Sequence, residues 1–424
     1  MKFSRFNIIK KLKDESIVYN TRSCGVISLN KEYEQEMHNY IKGKTCNKED
    51  LIEALSHGRM IIEEDRDEIS ELKLINRLAR FNSSHLSLTL APTLNCNFSC
   101  PYCFEEGYRN NTMDRQVIEN VIKFVHEHVD NIKFLNVAWY GGEPLIALDI
   151  IEEFSKSFIK LTGNNISYTA GMVTNGYLLT KDVAKKLKEF NVKSIQVTLD
   201  GNKDAHDKRR SLINGNPTYD RIISNIKDCM DIIPLTIRIN IDESNIDEID
   251  ELLEEFHKNG FGNKVDFYLA QVQNDNCTCS NSDCISLNDF SKKEIDFYSK
   301  AIDKKIYSAK IEKPSTAICG AVSANTYVID PLGDIYKCWK NIGRKEHIVG
   351  NVINGMNTKE LTKWMLYDPF KDEECTSCNI FPLCMGGCPY SKILTEQKQC
   401  RAIRFNVSDT LNLFCRSKQV MKSC

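Results

Sequence analysis

The sequence predicts an α/β protein in which a parallel sheet curls into a partial barrel, with a small N-terminal α+β domain before it and a cysteine-rich domain after it. Between Leu86 and about Val272, six segments with strand character alternate with amphipathic helical segments. This alternation is typical of parallel sheets with helical crossovers. Three closely spaced cysteines follow the first strand, where such folds collect their ligands, and a second set of cysteines lies in the last third of the chain.

The elements of this region follow one another in a regular order. Strands are predicted at Leu86–Leu90, Phe134–Tyr140, Ile166–Val173, Ser194–Leu199, Leu235–Ile241 and Val265–Leu269, and helices near 114–130, 147–162, 180–190, 217–230 and 246–259. A dinucleotide-binding Rossmann fold is the alternative. It is disfavoured because the first strand leads into cysteines, where a glycine-rich phosphate loop would belong.

The residues before the barrel predict a separate small domain. Short strands are expected at Ser16–Tyr19 and Gly25–Leu29, and helices near 31–42 and 48–56. The acidic stretch 63–68 is interpreted as a solvated linker or the start of a helix. A hairpin with helices suits a winged-helix-like domain, and equally a cap that covers the barrel.

Composition excludes several classes of function. The net charge of −2 comes from 56 basic and 58 acidic residues without a long block of one sign, so we expect neither a nucleic-acid nor a membrane-surface partner. No apolar stretch suggests a signal peptide or a membrane span of about 20 residues. The chain is long for a secreted disulfide scaffold, so its 18 cysteines favour metal or redox chemistry in a reducing cytoplasm.

Cys96, Cys100 and Cys103 form the most informative pattern in the chain. For a chain of this composition, the number of such three-cysteine patterns expected by chance is roughly 0.03. A buried helix face is disfavoured because Pro101 lies inside the run and removes a helical hydrogen bond. Three thiolates on one loop suit an iron–sulfur cluster whose fourth iron is open to a small molecule.

Glycine-rich and polar residues follow the second and third strands. After the second strand, Gly141 and Gly142 allow a close backbone approach to a ligand, and Glu143 offers a carboxylate to an ammonium group. After the third strand, Thr174 and Asn175 could hydrogen-bond a sugar or a carboxylate. Taken alone, each segment could also be a plain turn.

The fourth strand ends at Asp200, with His206 and Arg209 soon after it. An arginine at this edge of the sheet suits a carboxylate ligand. His206 is expected to be structural.

The cysteine run and these strand-end motifs together resemble the radical S-adenosylmethionine (SAM) enzymes, whose partial (β/α)6 TIM-like barrel carries a CxxxCxxC cluster motif and a GGEP motif. The resemblance implies that Cys96, Cys100 and Cys103 hold a [4Fe–4S] cluster, and that SAM binds its fourth iron. It further implies hydrogen abstraction by a 5′-deoxyadenosyl radical, with SAM contacts from Tyr102, Gly141, Gly142, Glu143, Thr174, Asn175, Asp200 and Arg209.

A second cysteine pattern occupies the C-terminal third. Its inner CxxCxxxxxCxxxC run has a chance expectation of about 0.001, and a structural zinc site is the main alternative to a cluster. The whole pattern resembles the SPASM extension of radical SAM enzymes, which carries two auxiliary clusters and so brings the total to three [4Fe–4S] clusters. By that resemblance the first auxiliary cluster is held by Cys319, Cys338 and Cys388, and the second by Cys375, Cys378, Cys384 and Cys400.

The remaining cysteines receive weaker assignments. The first auxiliary cluster lacks an obvious fourth ligand, so its open iron suits a substrate thiolate or a recruited thiol, for which Cys277, Cys279 and Cys284 are candidates. These three could equally be redox bystanders. Cys415 competes weakly with Cys400, and the other cysteines are expected to be ordinary core or terminal residues, namely Cys24, Cys46, Cys229 and Cys424.

The resemblance implies a peptide-modifying enzyme. It also implies four regions in order: a leader-peptide recognition domain at 1–85, the radical SAM barrel at 86–290, a helical bridge at 291–318 and the SPASM domain at 319–424. The expected reaction is thioether formation from a cysteine sulfur to a carbon in a ribosomally made precursor peptide. An external flavodoxin or ferredoxin would supply electrons. Formylglycine formation, as in sulfatase maturation, and carbon–carbon cross-linking are the alternatives, and an iron–sulfur carrier or peptide sensor is the non-enzymatic one.

Overall fold

The computed structural model describes residues 1–105, 107, 111–262, 264–272, 284–316 and 319–422, with side chains described as far as Lys418. Cys277, Cys279 and Cys424 lie outside the described residues. The chain divides into two compact units. We call Asn82–Tyr307 with Gly320–Leu366 the barrel unit, and Met1–Phe81 with Ser308–Cys319 and Tyr367–Cys424 the terminal unit.

The strands and helices of the described residues are as follows. The strands are β1 (Lys2–Phe3), β2 (Asn7–Lys11), β3 (Glu15–Asn20), β4 (Val26–Asn30), β5 (Ile61–Ile62), β6 (His85–Leu90), β7 (Phe134–Trp139), β8 (Ser167–Thr174), β9 (Val192–Leu199), β10 (Leu235–Ile241), β11 (Val265–Gln271), β12 (Thr326–Ile329), β13 (Asp334–Tyr336), β14 (Gly350–Asn351) and β15 (Gly355–Met356). The helices are α1 (Lys31–Ile41), α2 (Glu49–His57), α3 (Glu68–Arg80), α4 (Arg115–His126), α5 (Leu148–Thr162), α6 (Lys181–Glu189), α7 (Lys203–Arg209), α8 (Tyr219–Cys229), α9 (Ile249–Lys258), α10 (Leu287–Asp303), α11 (Thr358–Met365), α12 (Glu373–Ser377), α13 (Phe381–Cys384), α14 (Pro389–Leu394) and α15 (Ile403–Lys422).

The barrel unit is built on one sheet of ten strands in the order β11-β10-β9-β8-β7-β6-β12-β13-β14-β15. Strands β6 to β11 are parallel and lie side by side in chain order. This confirms the predicted parallel α/β architecture. The carboxyl ends of six consecutive strands are thereby brought to one edge, which is where the predicted motifs lie.

The two faces of this sheet differ in polarity. Trp139 at the end of β7 is fully buried and packs against Phe154 of α5, with ring centroids 6.0 Å apart. The alternate residues of the strands are half-buried and face the opposite side, the interior of the partial barrel. The interior face is therefore more polar than the helix-covered face.

The chain after the barrel continues the same sheet, which the sequence does not predict. Strand β12 pairs in parallel with β6, matching Tyr327 with Leu88, and β13, β14 and β15 extend the sheet in antiparallel fashion. Cys338 is the second residue after β13. The first cysteine of the barrel loop and Cys338 thus both follow strands of one sheet.

The terminal unit contains a three-stranded antiparallel sheet in the order β2-β3-β4. The structure confirms the predicted strands and helices at 16–19, 25–29, 31–42 and 48–56 to within a few residues, and adds β2 to the sheet. Its core also includes residues from the C-terminal segment, because Phe6 packs with Phe381 and Met385. In a second cluster, Ile8 and Tyr19 of the N-terminal sheet pack with Cys378 and Cys384, so this sheet and the C-terminal cysteines share hydrophobic packing.

The acidic stretch at 63–68 leads into α3 rather than forming only a solvated linker. Asp67 caps the helix, accepting hydrogen bonds from the backbone N–H groups of Ile69 and Ser70, each at 3.1 Å. Glu68 is buried and accepts a hydrogen bond of 2.6 Å from the Ser4 hydroxyl. Within the described part of the chain, no helix combines the length and apolar character needed to cross a bilayer.

Candidate active site

The cysteine loop follows β6 and is anchored by the residues between its cysteines. Phe98 is fully buried and pairs with Leu212 in an isolated β-bridge. Ser99 donates its backbone N–H to the Ser211 carbonyl at 3.1 Å. The loop is therefore fixed to the segment that follows α7.

The sulfur atom of Cys96, the first cysteine of this loop, lies near two hydrogen-bond donors. Cys96 Sγ is 3.4 Å from the Phe98 backbone nitrogen and 3.9 Å from Asn175 Nδ2. Cys100 is buried, whereas Cys103 is half-buried. Donors directed at sulfur favour the thiolate form, which is the form that binds iron.

Gly141 and Gly142 are required by the packing of the loop itself. A Cβ atom on Gly141 would lie 2.4 Å from the Thr93 carbonyl oxygen, and one on Gly142 would lie 2.4 Å from the Asn95 carbonyl oxygen. Gly141 also has a φ of +111°, which strains any other residue. The close approach that the glycines permit is thus made to the segment that carries the cysteines.

The carboxylate of Glu143 joins the ends of β7 and β8. It is fully buried and accepts hydrogen bonds from the Thr174 hydroxyl at 2.7 Å and from the backbone N–H of Asn175 at 2.8 Å. The Leu145 backbone N–H donates to it at 3.0 Å. Burial raises the pKa of Glu143, and these donors oppose that rise. The internal hydrogen bonds of Glu143 therefore place Thr174 and Asn175 beside the cysteine loop.

Tyr102 and Asp200 connect the cysteine loop to the end of β9. The Tyr102 hydroxyl donates a hydrogen bond of 2.5 Å to Asp200, which is fully buried. Burial raises the pKa of Tyr102 well above its usual value, so the phenol keeps its proton. The Tyr102 hydroxyl accepts a hydrogen bond of 2.7 Å from Arg210.

Two adjacent arginines neutralise the acids at this edge. Arg209 donates to Asp200 at 2.9 Å and makes a bidentate pair with Asp242 at 2.8 and 2.9 Å. Arg210 lies 3.8 Å from Asp200. Burial opposes the charge of Arg210, but Cys100 and other acidic neighbours raise its pKa well above the usual value. The guanidinium of Arg210 is therefore a fixed positive charge near the buried cysteine.

His206 is part of the scaffold of this site, as expected. Burial, reinforced by Arg210 and Arg209, lowers its pKa well below the usual value, so the ring is neutral. Its Nδ1 accepts the Asp200 backbone N–H at 3.3 Å, and Nε2 therefore donates to the Thr218 hydroxyl at 3.1 Å. The ring holds the Asp200 backbone in place.

Tyr140 lies between two parts of the barrel unit that contain predicted cluster ligands. Its ring stacks on Trp339, with centroids 5.9 Å apart and an interplanar angle of 24°. Burial raises its pKa, and both Cys103 and Cys338 are close enough to contribute to that rise. One tyrosine is therefore near a cysteine of each predicted group.

Four cysteines of the terminal unit influence one another electrostatically. Burial is the main cause of the raised pKa of Cys384, and Cys378 and Cys400 add to the rise. Burial likewise raises the pKa of Cys375, and Cys384 adds to that rise. Arg404 donates to Cys400 Sγ at 3.0 Å. These are the four residues assigned by sequence to the second auxiliary cluster.

The turn between Cys384 and Cys388 has an unusual backbone. Met385, Gly386 and Gly387 all have positive φ values of +47°, +90° and +82°. A Cβ atom on Gly387 would lie 1.9 Å from the Gln399 carbonyl oxygen. Glycine at 387 therefore allows this turn to pack against the residue before Cys400.

The donor chemistry suits the groups that the sequence implies, although no three His, Cys, Asp or Glu side chains of the described residues form a single-ion site. The barrel loop offers three thiols beside a fixed cation, and the terminal unit offers four thiols in a partly apolar setting. Cys319 and Cys388 belong to the terminal unit and Cys338 to the barrel unit. Cys284 is half-buried, and Cys229 is buried with its thiol 3.5 Å from the Leu179 carbonyl.

Sequence reasoning missed several residues of this edge. Arg210, Asn240 and Asp242 all bond to residues that it selected. Asp242 directly follows β10 and could have been found by the same strand-end rule that selected Asp200. Arg210 is adjacent to Arg209 and gives no separate signal.

Comparison with known proteins supports the resemblance to radical SAM enzymes. A family model described as the Radical SAM superfamily matches residues 90–267. A cysteine-type anaerobic sulfatase-maturating enzyme of Clostridium novyi (strain NT) is 27% identical in an alignment that spans 72% of this chain and 88% of that enzyme.

Two solved structures share the fold. Native anSMEcpe with bound AdoMet and Cp18Cys peptide has a TM-score of 0.59 at 21% identity, covering 80% of this chain and 99% of its own. Streptococcus suis SuiB bound to precursor peptide SuiA has a TM-score of 0.53 at 17% identity, covering 94% of this chain and 97% of its own. The parallel sheet, the cysteine loop at its carboxyl edge and the family match agree, and they show that the chain carries a radical SAM domain and is a radical SAM enzyme.

Proposed function

We propose that this enzyme modifies a ribosomally made precursor peptide and joins a cysteine sulfur of that peptide to a carbon atom in a thioether bond. The observation that carries the proposal is a group of four cysteines in the terminal unit that influence one another electrostatically, namely Cys375, Cys378, Cys384 and Cys400. These cysteines are far from the cysteine loop of the barrel in the sequence. An oxidation that removes two electrons from the substrate needs an acceptor for the second electron, and a cluster held by these thiols would supply one.

The balance of the reaction explains that need. A thioether forms when a C–H and an S–H bond break and a C–S bond forms, so two hydrogen atoms leave the peptide. When bound and reduced, the barrel cluster and SAM would supply the 5′-deoxyadenosyl radical, which would take one hydrogen atom. The second leaves as a proton and an electron, and an auxiliary cluster is a suitable electron acceptor.

Residues of the barrel edge would hold the first cluster and SAM. Cys96, Cys100 and Cys103 would be the thiolate ligands, and Arg210 would keep a positive charge beside them. Around them, SAM contacts are proposed for Tyr102, Gly141, Gly142, Glu143, Thr174, Asn175, Asp200 and Arg209. Because the Glu143 carboxylate already accepts three internal hydrogen bonds, we propose that this segment meets SAM through its backbone.

The cysteines in the last third of the chain would provide the second part of the machinery. We propose that Cys375, Cys378, Cys384 and Cys400 hold one auxiliary cluster, and that Cys319, Cys338 and Cys388 supply ligands to another. The sheet β2-β3-β4 is compatible with leader-peptide binding, since an extended peptide can add a strand to a sheet edge. A flavodoxin or ferredoxin would deliver electrons, in the reducing cytoplasm that free thiols favour.

Formylglycine formation is the second candidate. It is favoured by the likeness to the sulfatase-maturating enzyme of Clostridium novyi, which spans most of both chains. That reaction would turn a cysteine side chain of the substrate into an aldehyde with loss of sulfur. A carbon–carbon cross-link is a third product that the same radical could give.

Mass spectrometry separates these products. The reconstituted enzyme is incubated anaerobically with reductant, SAM and a cysteine-containing peptide encoded near the gene, and the products are fragmented. A thioether keeps the sulfur, loses two hydrogen atoms and resists thiol alkylation. An aldehyde without sulfur would support the second candidate and refute thioether formation for that peptide. Deoxyadenosine without any change in peptide would reject the peptide as substrate.

A further inference from the structure

The interior face of the partial barrel carries hydrogen-bonded polar side chains. The Thr169 hydroxyl donates to Asn136 at 2.9 Å, linking β8 to β7. The Tyr268 hydroxyl donates to Gln196 at 2.8 Å, reaching across β10 from β11 to β9. These partners satisfy one another, so they do not by themselves call for a ligand.

Arg238 on β10 is the exception on this face. It is half-buried, and its neighbours in register are Thr198 on β9 and Tyr268 on β11. Its only hydrogen bond is a donation from Nε to Asn240 Oδ1, at 2.8 Å, as far as the described residues go. The two terminal nitrogens of the guanidinium are left without a protein acceptor in that part of the chain.

The other two arginines at this edge of the sheet have carboxylate neighbours. Arg209 pairs with Asp200 and Asp242, and Arg210 lies 3.8 Å from Asp200. Among the residues described by the structure, Arg238 has no carboxylate within ion-pair distance. A half-buried arginine without a counter-ion has lost part of its hydration, and a planar carboxylate can compensate through two parallel hydrogen bonds.

The position of Arg238 connects it to the reactive edge. Asn240, which holds its Nε, also donates to the Tyr102 hydroxyl at 3.3 Å. Tyr140 lies within electrostatic range of Arg238 and of Cys103. Arg238 therefore faces the barrel interior. It lies two residues before Asn240 on β10, and Asn240 contacts Tyr102 of the cysteine loop.

We propose that Arg238 binds a carboxylate of the substrate peptide and thereby positions the peptide for hydrogen abstraction. This inference deepens the proposed function and rests on it. The carboxylate is either an aspartate or glutamate side chain of the peptide or its C-terminus. The residue is a specificity determinant of the barrel interior, and Asn240 fixes the direction of its guanidinium.

The test uses the reconstituted enzyme and a cysteine-containing peptide that the wild type modifies. Arg238→Gln and Arg238→Lys are compared with Arg221→Gln, which removes an exposed arginine from α8 in the same unit. We expect Arg238→Gln to raise the KM for the peptide and its Kd in calorimetry by about tenfold to a hundredfold, the usual effect of losing a charged hydrogen bond. Lysine should restore part of the affinity, while Arg221→Gln and the KM for SAM stay unchanged.

Altered peptides identify the carboxylate. One peptide is amidated at its C-terminus, and the others carry single Asp→Asn or Glu→Gln changes. One altered peptide should bind the wild type as weakly as the unaltered peptide binds Arg238→Gln. The Arg238→Gln variant should bind the altered and the unaltered peptide equally.

Two results would overturn the inference: equal peptide affinity of wild type and Arg238→Gln, or a rise in the KM for SAM alone. Since wild-type turnover is the reference, a failure of the proposed function would appear in the wild type itself. Failure of this inference appears only as equality between the wild type and the variant.

Discussion

The Tyr102 hydroxyl donates a hydrogen bond of 2.5 Å to the buried carboxylate of Asp200. This bond joins a residue between two loop cysteines to the end of the fourth barrel strand. Arg210 donates to the same hydroxyl, so the phenol both gives and receives a hydrogen bond. The cysteine loop is thereby fixed to the opposite side of the barrel edge.

Removing this hydroxyl should weaken the site without disrupting the sheet. Tyr102→Phe leaves Asp200 without its shortest hydrogen bond and Arg210 without its hydrogen-bond acceptor, a loss of about 1.5–3 kcal/mol. We expect the rate of deoxyadenosine formation to fall at least about tenfold. Tyr177→Phe is the matched control, since the Tyr177 ring also contacts the loop through Phe98. Equal rates for both variants would show that the bond does not matter.

The packing of Gly142 gives a second prediction. In Gly142→Ala the new methyl group would lie 2.4 Å from the Asn95 carbonyl oxygen, so the cysteine loop must move. Such overpacking typically costs about 1–3 kcal/mol. We expect the variant to lose iron from the barrel cluster, as measured by iron analysis and electron paramagnetic resonance. Gly171→Ala meets only ordinary contacts at 3.7 Å and should retain its iron.

Iron content also tests the cysteines of the terminal unit. If all three clusters contain four irons, the wild type holds about twelve iron atoms per chain. Cys384→Ala should lower this to about eight while some SAM cleavage remains, whereas Cys229→Ala, which alters a buried barrel cysteine, should leave it unchanged. About four iron atoms with bound zinc in the wild type would mean that the C-terminal cysteines are structural.

The raised pKa of Asp330 leads to a prediction of how the stability of the fold depends on pH. Burial, together with Asp334, raises its pKa to about 6, whereas an unfolded aspartate titrates near 3.9. The folded chain therefore holds this proton more tightly. Its contribution to the free energy of unfolding is complete below about pH 4 and is lost as the pH rises through about 6, amounting to about 2–3 kcal/mol.

Chemical denaturation between pH 4 and 7 measures this effect, with Asp330→Asn as the comparison. The difference in stability between wild type and variant should change in favour of the variant as the pH rises. A constant difference across the range would show that Asp330 has an ordinary pKa.

The barrel was predictable because each of its strands combines apolar alternation with a turn or polar residue at its end. All six predicted strands are present, and β10 matches the prediction Leu235–Ile241 in full. Helix α7 was missed because its seven residues, Lys203–Arg209, contain one buried alanine and no repeating apolar face. Its start depends instead on Asn202, which caps it through a hydrogen bond from the Ala205 backbone N–H.

The sequence pattern did not predict that distant segments of the chain share a sheet or a core region. The strands β12 to β15 are two to four residues long, too short for a periodic signal, yet they continue the barrel sheet. Likewise, nothing in the spacing of Cys375 and Cys384 indicates that Phe6 and Tyr19 pack in the same core regions. Such contacts depend on tertiary packing, whereas the cysteine motifs depend on local spacing.

Deoxyadenosine formation by the cluster-loaded wild type and by Cys100→Ala tests the central claim most directly. Cys100 is the buried cysteine of the loop, next to the fixed charge of Arg210. Under anaerobic conditions with reductant and SAM, the wild type should produce deoxyadenosine and Cys100→Ala should produce none. Full cleavage by the variant, or no cleavage by the cluster-loaded wild type, would contradict the assignment of this loop as the site of radical formation.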